Sequence, residues 1–255
     1  MKGTCTLVGS GPGDPELLTL KAVKAIQGAT LLLVDDLVSS AIVALAPSSA
    51  RIVHVGKRGG CRSTPQAFIE KMMISAVRQG EQVVRLKGGD PFIFGRGGEE
   101  IETLRAAGIK AQVINGITAG LAGMTALGVP LTHRRHAHGV LFVTGHAKAD
   151  GAATNWPLLA TTAYAAHLTL VIYMGMARCA DIAQGLLSGL PFDTPTVVIQ
   201  YASLPEQRHV YTALAQLHET VMQEGLGSPS VIVVGDVLRG MAALQESTLL
   251  IAACG

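Results

Sequence analysis

Short aliphatic runs alternate along this chain with longer stretches whose apolar residues recur at helical spacing, and glycine-rich loops separate the two. That alternation constrains the fold more than any composition figure does. Thr4 to Val8 reads as a strand, followed by Gly9-Ser-Gly-Pro-Gly-Asp-Pro15. A helix is expected from Glu16, with Leu17, Leu18, Leu20, Val23 and Ile26 inward, Lys21 and Lys24 outward, and Asp14 capping it ahead of Pro15. Strands are expected at Ala29–Val34 and Arg51–Val55. A helix capped by Thr64 and begun by Pro65 carries the stripe Phe68, Ile69, Met72, Met73, Ala76, Val77 and ends at Gly80. Gln82–Leu86 is β-like, Glu99–Ala107 helical with Gly108 closing it, and Lys110–Ile114 β-like again. From Gly139 a second series begins, with strands at 140–144, 168–173, 196–200, 208–211 and 231–234 and helices at 179–187 and 213–223. Alternation of this kind implies an α/β fold with a largely parallel sheet in each half. The domains are set at 1–116 and 117–245, with a tail at 246–255.

The densest loop is Leu86-Lys-Gly-Gly-Asp-Pro-Phe-Ile-Phe-Gly-Arg-Gly-Gly-Glu-Glu100, between a strand and a helix. Loops at the carboxyl ends of strands are where open α/β sheets bind ligands. Its glycines allow close approach of backbone to a ligand. Asp90 can accept from ribose-type hydroxyls, and Arg96 can clamp a carboxylate. The first glycine loop misses the G-x-G-x-x-G dinucleotide fingerprint, having a proline in the turn and no third glycine at the helix, which disfavours a nicotinamide-dependent oxidoreductase.

Hydrophobic residues make up 49% of the 255, but the uncharged stretches 111–132 and 151–177 are broken by proline, asparagine and glycine. Neither is a continuous apolar helix of roughly 20 residues, so both read as α/β core rather than membrane spans. No secretory signal is visible, and the scattered Cys5, Cys61, Cys179 and Cys254 form no C-x-x-C pair. A reducing cytoplasm is expected, without disulfides or structural zinc. Lys and Arg number 20 against 18 Asp and Glu, so net charge points to neither nucleic acid nor membrane. The cations crowd between Arg51 and Arg135, which suits either a multiply anionic partner or a solvated charged face.

Two further clusters stand out. Asp35-Asp36 follows the second strand, where acids can cap, be solvated or act chemically. His133-Arg-Arg-His-Ala-His138 has no acid or cysteine nearby, so an anion-binding or interdomain segment is favoured over a metal site.

The motifs Gly9 to Pro15, Leu37-Val-Ser39, Val55-Gly-Lys-Arg58, Lys87 to Glu100, Gly116-Ile-Thr-Ala119, Pro130-Leu-Thr-His-Arg134, Val143-Thr-Gly-His146 and Tyr173-Met-Gly175 occur in this order. Together they resemble the tetrapyrrole methylase family, and the Lys87–Glu100 string resembles its uroporphyrinogen-III C-methyltransferase branch. The resemblance spans roughly Thr4 to Gly240. It implies two α/β domains with an active site in the cleft between them, usually a homodimer. It implies S-adenosyl-L-methionine (SAM) as methyl donor, leaving S-adenosyl-L-homocysteine, no metal, and uroporphyrinogen III methylated at C2 and C7 to precorrin-2. The eight carboxylates of that substrate would explain the basic first half. Carried over by position, Pro12, Gly88, Gly89, Asp90, Ile93, Thr118, Ala119, Met174 and Ala202 are implied to bind SAM. Lys57, Arg96, Glu99 and Arg134 are implied around the tetrapyrrole. Asp35 is implied as proton acceptor and Lys57 as proton donor, and Arg96 is implied as a third catalytic residue.

The chain departs from that family at Val34 and Asp36, where tyrosine and arginine are usual, at Asn115 in place of a proline, and at Ala202, where an Asn-Gly-Thr-like turn is common. Other readings carried forward are a methylase acting on a later corrin precursor and a non-catalytic SAM- or tetrapyrrole-binding regulator.

Overall fold

The computed structural model describes residues 3–56, 64–146 and 154–239. The chain divides into two compact units, Met1–Ala119 and Gly120–Gly255. In the first unit the elements run β1 (Thr4–Gly9), α1 (Leu20–Gln27), β2 (Leu31–Val34), α2 (Ser40–Val43), β3 (Arg51–His54), α3 (Gln66–Arg78), β4 (Gln82–Lys87), α4 (Gly97–Ala106) and β5 (Gln112–Ile114). The strands form one parallel sheet in the order β3-β2-β4-β1-β5. Parallel sheets are covered on both faces, and β2 is accordingly Leu-Leu-Leu-Val with every residue buried. Leu7, Leu33 and Val83 pack with Ile69 and Met73 of α3 and Leu104 of α4. The alternate residues Val8, Leu32 and Leu86 pack with Ile26 of α1 and Ile42 of α2. All five carboxyl ends therefore lie along one edge. The neighbours β1 and β4 send their connections to opposite faces there, the arrangement that opens a ligand crevice in such sheets.

The helix expected from Glu16 is split. Pro15–Leu17 forms a 3-10 turn whose Glu16 N–H donates to Asp14 Oδ1 at 2.8 Å, and α1 begins only at Leu20. Thr19 is the reason: its hydroxyl accepts from Ala22 N at 3.1 Å and restarts the chain as a helix. Leu20 is consequently 80% exposed rather than inward. Thr64 does not cap α3 either. Pro65, in extended backbone with ψ 137°, occupies the cap position, one residue beyond Thr64, and offers no side-chain acceptor.

The second unit continues with α5 (Ala119–Ala126), β6 (Gly139–Thr144), α6 (Trp156–Ala165), β7 (Leu168–Tyr173), α7 (Cys179–Leu187), β8 (Pro195–Gln200), β9 (Arg208–Ala213), α8 (Leu217–Gln223) and β10 (Ser230–Val234). Its sheet has the order β6-β7-β10-β8-β9. The expectation of a largely parallel sheet fails here. Strands β6 and β7 are parallel, but β7–β10, β10–β8 and β8–β9 are antiparallel. The cause is the helix-free connection 201–207, which turns the chain back on itself after β8. The crossover through α8 then keeps β9's direction and slots β10 between β7 and β8. Trp156, Ile182, Leu186, Leu214 and Leu217 close the helical side of this sheet's core. Among the described residues no helix is long and apolar enough to cross a membrane.

Both described cysteines are buried thiols. Burial, helped by nearby Glu100, pushes Cys5 up to about 12, and burial pushes Cys179 up to about 11. Both should stay unalkylated by iodoacetamide at pH 8 until denaturant is added, as read by mass mapping of their peptides. A thiol with a raised folded-state pKa contributes stability that is complete below its unfolded value of 9.0. That contribution is lost as pH rises toward 12, so unfolding midpoints should fall above pH 9.

Candidate active site

Three loops meet backbone to backbone at the carboxyl edge of the parallel sheet. Gly89 N–H donates to Gly11 O at 2.7 Å and Gly11 N–H to Gly89 O at 3.1 Å, joining the loops after β1 and β4. Gly89 takes a left-handed conformation with φ +66°, which glycine adopts without strain. Gly116, after β5, sits so close that a Cβ there would lie 2.2 Å from Gly89 O and 2.9 Å from Gly11 N. Asp90 clasps two of these loops. Its Oδ1 accepts from Phe92 N at 2.8 Å, and its Oδ2 from Asn115 Nδ2 and Gly116 N, both at 3.1 Å. Asp90 is only 6% exposed, so its carboxylate spends most of its capacity inside the loop assembly. The loop after β2 completes the edge: a Cβ on Gly88 would come within 2.7 Å of Leu37 Cβ.

Two of the cations that the sequence scatters are buried under this edge. Arg85 and Lys87 project from β4 to the α3–α4 face, and Glu100 of α4 meets both, its Oε1 at 3.1 Å from Arg85 Nε and 3.2 Å from Lys87 Nζ. Arg85 Nη2 also lies 3.6 Å from Asp35 Oδ2. Asp35 is thus held from below by a buried guanidinium while remaining partly exposed. Burial and the neighbouring Arg85 lower the proton affinity of Lys87, and Glu100 and Asp35 oppose that. None of Arg85, Lys87 and Glu100 was among the expected site residues. The legible signal was the period-two placement of two cations in an otherwise buried strand, Val83 to Lys87.

The other expected residues fall into two groups. Pro12, Asp35, Gly88, Gly89, Asp90, Ile93, Arg96, Glu99 and Thr118 all belong to the loops at the carboxyl edge of the first sheet or to their flanks. Arg96, left-handed at φ +58°, precedes α4 and pairs with Glu99, Nη2 to Oε2 at 2.5 Å, on the exposed surface. Thr118 is buried, with its Cα 3.8 Å from where a Gly89 Cβ would be. Ala119 opens α5, and the next residue, Gly120, donates its N–H to Tyr173 Oη at 3.0 Å. Met174, Ala202 and Arg134 belong to the second unit. Met174, left-handed at φ +54° and half exposed, follows β7. Ala202, buried, follows β8 at the same end of that sheet and faces Gly123 of α5. Arg134 is exposed in a turn closed by the backbone pair His133–Ala137, where the His133 and His136 rings stack at 4.7 Å. Lys57 lies outside the described residues.

A glycine-lined edge beside a paired carboxylate and guanidinium can hold a polar small molecule and move a proton. Residues 4–218 match the family model for Tetrapyrrole (Corrin/Porphyrin) Methylases. The chain belongs to that family. It is 52% identical to a uroporphyrinogen-III C-methyltransferase of Pseudomonas aeruginosa over 95% of this chain and 97% of that one. It is 46% identical to siroheme synthase 3 of Aeromonas hydrophila, covering 92% of this chain but only 49% of that longer one. Among solved structures, the uroporphyrin-III C-methyltransferase of Thermus thermophilus in complex with S-adenosyl homocysteine superposes with a TM-score of 0.78. The two are 38% identical, over 92% and 93% of the respective chains.

Proposed function

We propose that this chain transfers methyl groups from SAM to carbon atoms C2 and C7 of uroporphyrinogen III, giving precorrin-2 by way of precorrin-1. The observation that carries this is the 52% identity to a uroporphyrinogen-III C-methyltransferase along nearly the full length of both chains. The product would feed sirohaem, cobalamin or haem d1 synthesis, and the likeness to half of a siroheme synthase supports the first of these.

The methyl donor supplies an activated sulfonium methyl, so the protein has chiefly to orient two reactants and manage one proton. Gly88 and Gly89 would present backbone to the donor, together with Pro12, Ile93, Thr118 and Ala119, and Met174 and Ala202 from the second unit. The left-handed Gly89, whose missing Cβ leaves room toward Thr118, supports that role. Asp90 would act by shaping the loop as much as by touching the donor. Lys57, Arg96, Glu99 and Arg134 would meet the tetrapyrrole's carboxylates, Arg96 exchanging Glu99 for a substrate carboxylate. Asp35 would accept the proton that the macrocycle loses as the methylated ring becomes an extended imine, and Lys57 would donate one to the macrocycle. A sulfonium methyl needs no Lewis acid, and no metal is proposed. A homodimer in the cytoplasm completes this reading.

Anaerobic incubation of the purified protein with SAM and uroporphyrinogen III should yield S-adenosylhomocysteine and a dimethylated product that oxidises to a sirohydrochlorin-type chromophore. SAM bound with neither product formed would make the chain a non-catalytic binder instead. Arg96→Ala should raise KM for the tetrapyrrole or lower turnover by about tenfold or more while the SAM dissociation constant stays within about twofold. An equal loss of SAM affinity would move Arg96 to the donor side of the site.

A further inference from the structure

The buried charges beneath Asp35 are arranged in a way that ion pairing alone does not explain. Glu100 is fully buried, and Arg85 and Lys87 are each 2% exposed. A carboxylate paired with arginine for stability commonly uses both oxygens against the guanidinium fork. Here a single oxygen, Glu100 Oε1, takes Arg85 Nε at 3.1 Å, Lys87 Nζ at 3.2 Å and Gln66 Nε2 at 3.0 Å. Its other oxygen, Oε2, has no hydrogen-bond partner among the described residues. The carboxylate is a junction for three side chains drawn from α3 and β4.

The junction sets the attitude of Arg85. With Nε tied to Glu100, Nη1 reaches the carbonyl oxygens of Leu33 and Leu86, both at 3.3 Å. Nη2 is then left directed at Asp35 Oδ2, 3.6 Å away. Asp35 Oδ1 accepts from Asp36 N at 3.2 Å, so both of its oxygens have a neighbour that orients them. Among the described residues, the charged and titratable groups that meet this cluster include Arg85 and Lys87 on β4, Glu100 on α4, Asp35 after β2 with Asp36 next to it, and the Cys5 thiol on β1.

We propose that Glu100 is a positioning residue for methyl transfer: it fixes the Arg85 guanidinium, and through it the Asp35 carboxylate, with Lys87 as the second counter-charge on the same oxygen. This rests on the reading of Asp35 as proton acceptor. Glu100 touches neither reactant in this scheme, and its effect is on the orientation and charge of the group that does.

Glu100→Gln is the direct test. It leaves two buried cations short of an anion, so it should lower the melting temperature as well as kcat. The double variant Lys87→Met/Glu100→Gln removes one charge of each sign and should regain most of the melting temperature. A purely structural Glu100 predicts that kcat returns with it. Positioning predicts that kcat stays down, on the order of tenfold to a hundredfold, because Arg85 Nε has still lost its anionic anchor, while KM for both substrates stays within about twofold. A double variant with wild-type kcat overturns the proposal, whether or not Glu100→Gln alone can be purified.

A cycle with Asp35→Asn separates this proposal from the reading beneath it. If Asp35→Asn leaves kcat unchanged, the Asp35 assignment fails and the proposal with it. If Asp35→Asn lowers kcat and the charge-balanced pair lowers it again by its full factor, Asp35 stands and Glu100 does not act through it. The expected result is a pair that costs threefold or less once Asp35 has been replaced.

Discussion

Gly116→Ala is expected to lower the unfolding free energy by about 3 kcal/mol or more and to abolish measurable SAM binding, although it adds one methyl group. That methyl would lie 2.2 Å from Gly89 O, 2.8 Å from Gly9 C and 2.9 Å from Gly11 N. All three are backbone atoms at, or two residues beyond, the ends of the buried strands β1 and β4. No rotamer change relieves the contact, and the Gly11–Gly89 pairing must open or the loop after β5 must move away. The melting temperature should fall by about 10 °C for a chain of this size. Two other glycines in the first unit serve as controls. Gly98 lies in the first turn of α4 with nothing within 4 Å of an added Cβ, and Gly98→Ala should leave stability unchanged or raise it by up to about 1 kcal/mol. Gly108 also has open space but sits at φ +77°, so Gly108→Ala should cost about 1 kcal/mol from backbone strain alone. Thermal melts of the three variants, with SAM titrations by calorimetry, test the ranking. A Gly116→Ala protein as stable as Gly108→Ala would mean that the three loops do not meet in solution as they do here.

The first unit was open to sequence reading because parallel sheets write themselves plainly. Leu31–Val34 is buried on both faces, α3 shows its apolar stripe, and Gly80 and Gly108 close their helices in the left-handed region as glycine does. The second unit hid its topology for an equally physical reason. An antiparallel strand covered on both faces is as uniformly apolar as a parallel one, and Val197–Ile199 and Val231–Val234 carry no mark of direction. Direction was decided in the helix-free connection 201–207, where Tyr201 and Ser203, both in left-handed backbone near β8's end, turn the chain. Where a helix starts was also decided locally, by Thr19 outcompeting Asp14 for the cap of α1.

Much the same division holds for the candidate site. The Lys87–Glu100 string identified the loop, since glycine, acid and arginine together at a strand end have few other uses. What the string could not convey is that Lys87 and Glu100, its two ends, meet each other in the interior, while Arg96 and Glu99 pair outside. Charge in a sequence does not say whether it is solvated. Only the period of two through Arg85 and Lys87, set against the helical position of Glu100, turns three ordinary surface residues into one buried cluster.

Asp90→Asn should show whether the most conspicuous acid of that loop binds or builds. The carboxylate accepts three hydrogen bonds from the protein, one on Oδ1 and two on Oδ2. An amide at this position must turn its NH2 toward a donor whichever way it flips. Toward Phe92 N it loses one bond and gains one repulsion, and toward Asn115 and Gly116 it loses two. The group is 6% exposed, so water gives little compensation, and a net loss of about 2 kcal/mol in unfolding free energy is expected. Because Asp90 ties the loop after β4 to the loop after β5, SAM affinity should fall in parallel, on the order of tenfold or more. The two readouts divide the possibilities. An Asp90 that serves the methyl donor alone would lose affinity with its denaturation curve unmoved. One that only clasps the loops would lose stability, and raising the osmolyte concentration until the fold recovers would restore binding with it. Stability restored by osmolyte with affinity still depressed is the outcome expected here, since Oδ1 keeps one acceptor site beyond the three already filled and can face the ligand as well as the loop.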